Sequence, residues 1–174
     1  MQPLNINGRS IKLRMLVGLL MLALGFIGVV VTDIKKDGAW EYWRVLAVIF
    51  ALLSLGLSWH LKKQGWKTTI LTIWHEIAHW AGLIGAIWIA SYLVHIGLIG
   101  RFEASLLTLL LLALTTFLAG IYIEPTFIFV GLLLGGFAIS IGFIDTYLYN
   151  ILLPATLVAA ILLIAFLHHA HKKL

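Results

Sequence analysis

The chain contains no cysteine, only three prolines and few charged residues. The lack of cysteine excludes disulfide bonds, thiolate nucleophiles and cysteine-ligated metal clusters. Charged residues make up 11% of the 174 residues and hydrophobic residues 62%, and the mean hydropathy is +1.07. A soluble domain carries about 25% charged residues. The composition therefore indicates an integral membrane protein.

Asp, Glu, Lys and Arg are missing from six stretches of 17 residues or more. An α-helix needs roughly 17–25 residues to cross the hydrocarbon core of a bilayer. The six stretches are Met15–Thr32, Val45–Leu61, Ile77–Gly100, Ala104–Ile123, Pro125–Ile144 and Thr146–His171. The segments between them are too short to form a soluble domain. The sequence predicts an all-α, polytopic membrane protein of about six transmembrane helices, which form one domain over residues 1–174.

The distribution of lysine and arginine predicts the orientation of these helices. Eight lie in the N-terminal segment, in the loop after the second span and at the C-terminus, against four on the other side. Basic residues favour the cytoplasmic side, so both termini are expected in the cytoplasm, most naturally at a bacterial inner membrane. The first span resembles a signal peptide, but the run Gly28–Val31 offers no A-x-A-like cleavage site, so we expect an uncleaved helix.

Aromatic and basic residues are expected to gather at the membrane surfaces. Basic residues at the membrane edges explain the sequence pI near 9.6 and do not indicate a nucleic-acid partner. The expected interface anchors are Trp59, Trp66, Trp74 and Trp80 on the cytoplasmic side, and Trp40, Tyr42 and Trp43 on the other. The lipid bilayer is thus the first partner that the sequence implies.

The run from His75 to His79 reads H-E-I-A-H and lies at the edge of an apolar span. On a helix, residues i and i+4 share one face, so the two imidazoles could reach one metal ion, with Glu76 beside them as a proton acceptor. Ionisable residues are costly in a membrane and mark functional sites there. The motif therefore predicts a zinc site with His75 and His79 as ligands and Glu76 as the catalytic base.

Topology decides which polar residues can join this motif. The third helix is expected from about Thr68 to Ile99, a length of roughly 45 Å that leaves its first turns in the cytoplasmic interface. Glu124 falls at the same face. So do His60, His168, His169 and His171, whereas His95, Asp145 and Asn150 fall on the opposite face. Glu124 is therefore predicted as the third metal ligand.

Small residues suggest how the third helix packs. Gly82, Ala86 and Ala90 continue the line of His75 and His79 at four-residue spacing, a pattern that permits close approach of another helix. Gly131 and Gly135 in the fifth span repeat this spacing. The fifth span is therefore a candidate partner, and their packing would bring Glu124 towards the motif.

A membrane helix with H-E-I-A-H, followed by an acidic residue on a later helix, resembles the intramembrane zinc metallopeptidases of the site-2 protease type. The resemblance implies zinc on His75 and His79, Glu76 as general base, and a membrane protein or peptide as substrate. In that family, an Asp in an L-D-G-like motif supplies the third ligand. Here Asp145 is not followed by glycine, and it falls on the opposite face of the membrane. Glu124 is therefore expected as the third ligand in its place, as a Glu is in some zincins.

Three classes of function remain open from the sequence. The first is a zinc-dependent membrane-embedded hydrolase, and the second is a non-hydrolytic protein that handles a metal ion or a proton. The third is a structural or accessory subunit of a larger membrane complex or homo-oligomer. Under the simplest alternative, the two histidines only hydrogen-bond carbonyl groups or lipid headgroups, and Glu76 pairs with a lysine of the neighbouring loop.

Overall fold

A computed structural model describes residues 8–35, 39–62, 70–142 and 154–165, and all regular structure in these residues is helical. The helices are α1 (Gly8–Ile34), α2 (Ala39–Lys62), α3 (Ile70–His95), α4 (Arg101–Tyr122), α5 (Thr126–Gly142) and α6 (Pro154–Ala165). Apolar side chains dominate these helices, as the hydrocarbon core of a bilayer requires. Helical structure satisfies the backbone hydrogen bonds within each segment, which a membrane span needs. The prediction of a helical membrane protein is confirmed at this level.

Four of the six helices are long and apolar enough to cross a bilayer. These spans are Ile11–Ile34, Ala39–Leu61, Trp74–His95 and Arg101–Tyr122. The other two apolar helices, Thr126–Ile141 and Pro154–Ala165, are shorter. The count of six membrane crossings and the orientation of the termini stay predictions.

The helices α1, α2, α4 and α5 form the core of the bundle, and α3 packs against its outside. Neighbours in the core are α1 with α2, α2 with α4, α4 with α5, and α5 with α1. The third helix lies against both α2 and α4. It is also the least enclosed span, because 22% of its apolar stretch is buried, against 44–50% for α1, α2 and α4. Any side chain that α3 buries therefore points into the groove between α2 and α4.

Glycine permits the close contact of α4 with α5. A Cβ atom built at Gly120 would overlap the backbone of Ile128, and one at Gly131 would overlap the backbone of Phe117. Small residues let helix backbones approach in this way within a membrane. The pairing of α4 with α5 is correspondingly the most extensive helix contact in the bundle.

The small-residue stripe predicted on α3 does not form the expected contact. Gly82 is exposed, and a Cβ atom there would meet nothing within 4 Å, whereas Ala90 is buried. The main partners of α3 are α2 and α4, and those of α5 are α4 and α1. The predicted packing of α3 on α5 is therefore wrong, because Gly131 is used against α4 instead.

The third helix also ends earlier than the sequence predicted. It stops at His95, and Gly97 adopts the left-handed conformation with φ of 74°. The amide of Gly97 bonds the carbonyl of Val94, and that of Leu98 bonds the carbonyl of Leu93. This pair of bonds is a Schellman motif, which ends a helix where glycine can take a positive φ.

Tryptophans occupy two different environments. Trp59 and Trp74 are exposed, as expected of interface anchors, but Trp40, Trp43 and Trp80 are buried. The indole of Trp43 donates a hydrogen bond of 3.0 Å to Thr32 Oγ1 on α1. The three buried tryptophans pack between helices, and their expected depth at the membrane surface stays a prediction.

Candidate functional site: a buried carboxylate between α2, α3 and α4

The side chain of Glu76 is buried between α3 and α2. Only 4% of its surface is exposed, and Ser58 Oγ on α2 donates a hydrogen bond of 2.7 Å to Glu76 Oε2. A carboxylate loses much of its hydration on burial, so it persists in the core only with polar partners. The hydrogen bond from Ser58 also joins α3 to the bundle core. Glu76 is thus a buried acidic side chain at the interface of α2 and α3.

His79 lies one turn along α3 and points towards α4. Its Nε2 atom is 2.9 Å from the backbone carbonyl of Thr115, and its ring packs edge-on against Trp80. A carbonyl oxygen only accepts hydrogen bonds, so Nε2 carries the proton and donates it to Thr115. Glu76 and His79 therefore connect α3 to two different helices. We call Ser58, Glu76, His79 and Thr115 the polar centre.

His75 belongs to the same helical motif, but its side chain does not enter the interior of the bundle. Its side chain is exposed, whereas that of His79 is half-buried. Because Nε2 of His79 donates to the Thr115 carbonyl, Nδ1 is the ring nitrogen that keeps a lone pair for a metal ion. A carbonyl on the other ring nitrogen is the usual partner of a metal-ligating histidine. The contact with Thr115 is therefore compatible with His79 as a ligand, which stays a prediction.

Glu124 belongs to a second polar cluster, in the connection between α4 and α5. Its side chain is 3% exposed, and it pairs with Arg14 of α1 at 3.2 Å from Nη1 to Oε2. Thr126 Oγ1 donates a further hydrogen bond of 3.0 Å to Oε1. Burial raises the pKa of Glu124 above its usual value, while the Arg14 guanidinium and Thr126 lower it. This cluster ties the first helix to the α4–α5 connection.

The two clusters share one end of the bundle but use separate partners. Glu76 contacts Ser58, His79 contacts Thr115, and Glu124 contacts Arg14 and Thr126. Across the described parts of the chain, no three His, Cys, Asp or Glu residues form a group that could hold a metal ion. His60 is exposed at the end of α2. The assignments of Glu76 as base and of His75, His79 and Glu124 as zinc ligands stay predictions. Asp145, Asn150, His168, His169 and His171 lie outside the described residues.

The sequence alone did not identify Ser58, Thr115 and Arg14 as partners of the site. Ser58 has a detectable signal, since Ser54 and Ser58 are four residues apart and form a polar stripe on one face of an apolar helix. Arg14 had been assigned only an orienting role, although it lies two turns inside α1. Thr115 acts through its backbone carbonyl, so no side-chain pattern could reveal it.

Comparisons of this chain with protein-family models, with curated proteins and with solved structures found no match.

Proposed function

We propose that this is a polytopic membrane protein that handles a small cation, a proton or a metal ion, at the polar centre around Glu76. The observation that carries the proposal is the buried carboxylate of Glu76, held by Ser58 at a helix interface. Ionisable side chains inside transmembrane bundles mark ion pathways and proton relays, because their desolvation is otherwise a net cost. The half-buried ring of His79, one turn away, supplies a second group able to exchange a proton.

Position in the bundle also supports this proposal. Glu76 lies on the least enclosed helix, one residue from the exposed His75. At this end of the bundle an exposed imidazole, His75, therefore lies one residue from the buried carboxylate of Glu76. The groove between α2 and α4 supplies the oxygen atoms of Ser58 and Thr115 around the two ionisable groups.

Flux through reconstituted liposomes tests the proposal. Wild-type protein should dissipate either a proton gradient, read by an internal pH dye, or a Zn²⁺ gradient, read by an internal zinc dye. Glu76→Gln keeps the size of the side chain and an acceptor for Ser58 but removes the charge, so flux should fall to the level of empty liposomes. Glu103→Gln is the matched control, since Glu103 is an exposed carboxylate on α4. Flux of neither cation, or equal flux in Glu76→Gln, would contradict the proposal.

A second candidate is the zinc-dependent membrane-embedded peptidase. It is supported by the H-E-x-x-H spacing on one continuous helix, with His75 exposed at the end of the bundle where the polar centre lies. In this candidate His75, His79 and Glu124 hold zinc and Glu76 is the catalytic base. It requires that Nδ1 of His79 face the ion while Nε2 stays on Thr115, and that Glu124 leave Arg14 to join the two histidines.

Elemental analysis of detergent-purified protein separates the two candidates. The peptidase predicts about one zinc ion per chain in wild type and none in the His75→Ala/His79→Ala double variant. It further predicts that Glu124→Gln lowers zinc occupancy while Asp145→Asn does not. Equal, sub-stoichiometric zinc in all four proteins would contradict it, and would leave the cation-handling proposal to the flux experiment.

A further inference from the structure

Three side chains, one on each of the neighbouring helices α2, α3 and α4, each bury a polar atom. The atoms are Ser54 Oγ, Trp80 Nε1 and Thr116 Oγ1, and each residue is at most 1% exposed. Within the described residues none of these atoms has a hydrogen-bond partner. Buried polar groups are almost always hydrogen-bonded, and an exception calls for a physical explanation.

The two hydroxyl groups behave differently from others in the same bundle. A buried hydroxyl on a helix usually donates to the carbonyl four residues earlier. Thr32, Ser91, Ser105, Thr108 and Ser140 all do so, at 2.7–2.9 Å. Ser54 and Thr116 make no such bond. Each of these two hydroxyls therefore needs a partner from outside its own helix.

Helix register places the three residues at similar depths in the bundle. Ser54 precedes Ser58 by four residues on α2, and Trp80 follows Glu76 by four on α3. Because α2 and α3 run antiparallel and Ser58 bonds Glu76, Ser54 and Trp80 each lie one turn deeper on their helices. Thr116 follows Thr115, which meets His79. At 1.5 Å per residue, the three residues lie within about 3 Å of one another along the bundle.

We propose that these three side chains bind an ordered water molecule at the α2/α3/α4 junction. The indole of Trp80 can only donate, whereas both hydroxyls can donate or accept. One water molecule can accept from Trp80 and from one hydroxyl, and donate to the other. Three hydrogen bonds are the number that a buried water typically makes in a protein. The site lies one turn deeper than Glu76, and it does not depend on the cation-handling proposal.

A double-mutant cycle tests the water site through thermal unfolding in detergent. Ser54→Ala and Thr116→Val each remove one partner of the water, so each should lower the unfolding midpoint by about 2–4 °C. The double variant should lose less than the sum, because the water is already displaced once either hydroxyl is gone. Thr108→Val is the matched control: its hydroxyl bonds its own helix, so its effect should add to that of Ser54→Ala.

The alternative, in which no water is bound at this site, predicts different unfolding midpoints. If Ser54 and Thr116 are simply unpaired, removing either hydroxyl raises the midpoint or leaves it unchanged, and the two effects add. A crystal structure with resolved water provides the second measurement. Density within hydrogen-bond distance of all three atoms is expected. Hydroxyls turned onto the carbonyls of Phe50 and Leu112, with no density between the helices, would overturn the proposal.

Discussion

At the scale of single residues, the bundle buries two carboxylates and treats them differently. Glu124 is paired with a full positive charge on Arg14, whereas Glu76 accepts a hydrogen bond from the neutral Ser58. The pair of Glu124 with Arg14 joins α1 to the α4–α5 connection and suits a structural role. Glu76 lies on the least enclosed span and one turn from the half-buried His79, which is why we assign the proposed cation-handling role to Glu76 rather than to Glu124.

Removing Arg14 should destabilise the bundle because it leaves Glu124 buried without its counter-charge. Breaking a fully buried ion pair costs about 3–5 kcal/mol. The Arg14 side chain is 20% exposed, so we expect Arg14→Gln at or below the lower end of that range. Arg14→Lys keeps the charge and should lose less. Chemical or thermal unfolding of the three proteins in one detergent provides the comparison.

The loss caused by Arg14→Gln should also depend on pH. Burial already raises the pKa of Glu124 above 4.5, and removing Arg14 raises it further. A carboxyl group with a raised pKa in the folded state favours folding at low pH, and this contribution is lost as the pH rises through that pKa. The deficit of the variant should therefore be small below pH 4.5 and grow towards neutral pH. An equal deficit at every pH would show that the guanidinium acts by packing alone.

The sequence predicted the residues of the site better than their contacts. Burial of Glu76 follows from an ionisable group on an apolar helix, and the position of Glu124 at the same end follows from counting spans. The carbonyl contact of His79 matches the simplest alternative for that residue. The pairing of Glu124 with Arg14 could not be foreseen, because it depends on α1 and α5 being neighbours, which no local pattern encodes.

At the scale of elements, glycines of the same spacing differ in packing, both within one helix and between helices. Gly131 contacts the backbone of α4, while Gly135 meets nothing within 4 Å. Periodicity in the sequence gives the face of a helix but not the identity of its neighbour. The small-residue pattern therefore correctly indicated close packing at Gly131 and wrongly indicated it at Gly82.

This contrast gives a matched pair of variants on α5. Gly131→Ala should destabilise the bundle by about 1–3 kcal/mol, because the added methyl group overlaps the α4 backbone at Phe117. Gly135→Ala should be neutral or stabilising by up to about 1 kcal/mol, since alanine is the better helix former and has open space. Unfolding midpoints of the two variants beside wild type make the measurement. Equal losses in both would contradict the close contact of α4 with α5.

At the scale of the whole molecule, the distribution of lysine and arginine predicts that both termini are cytoplasmic. Cysteines introduced singly into this cysteine-free chain should react with an impermeant thiol reagent in intact cells at Gly100, on the predicted outer side. Cysteines at Lys63 and Lys173 should react only after the membrane is permeabilised. Labelling of either from outside would reverse the orientation of the bundle.

The number of membrane crossings is the part of the architecture that composition predicts least reliably. Six uncharged stretches give six helices in the described residues, but only four of these have the length of a full crossing. The fifth helix is described as far as Gly142, and residues 143–153 lie outside the described ranges. Whether α5 and α6 cross the membrane therefore stays a prediction from the uncharged stretches.

The most direct test of the central claim is the cation flux of Ser58→Ala beside Glu76→Gln and Ser91→Ala in the same liposomes. If the contact between Ser58 and Glu76 forms the functional centre, Glu76→Gln abolishes flux and Ser58→Ala reduces it by about tenfold, the equivalent of one hydrogen bond of roughly 1.4 kcal/mol. Ser91→Ala, which removes a hydroxyl bonded within α3, leaves flux unchanged. Wild-type flux in Ser58→Ala, or equal loss in all three variants, would contradict the claim.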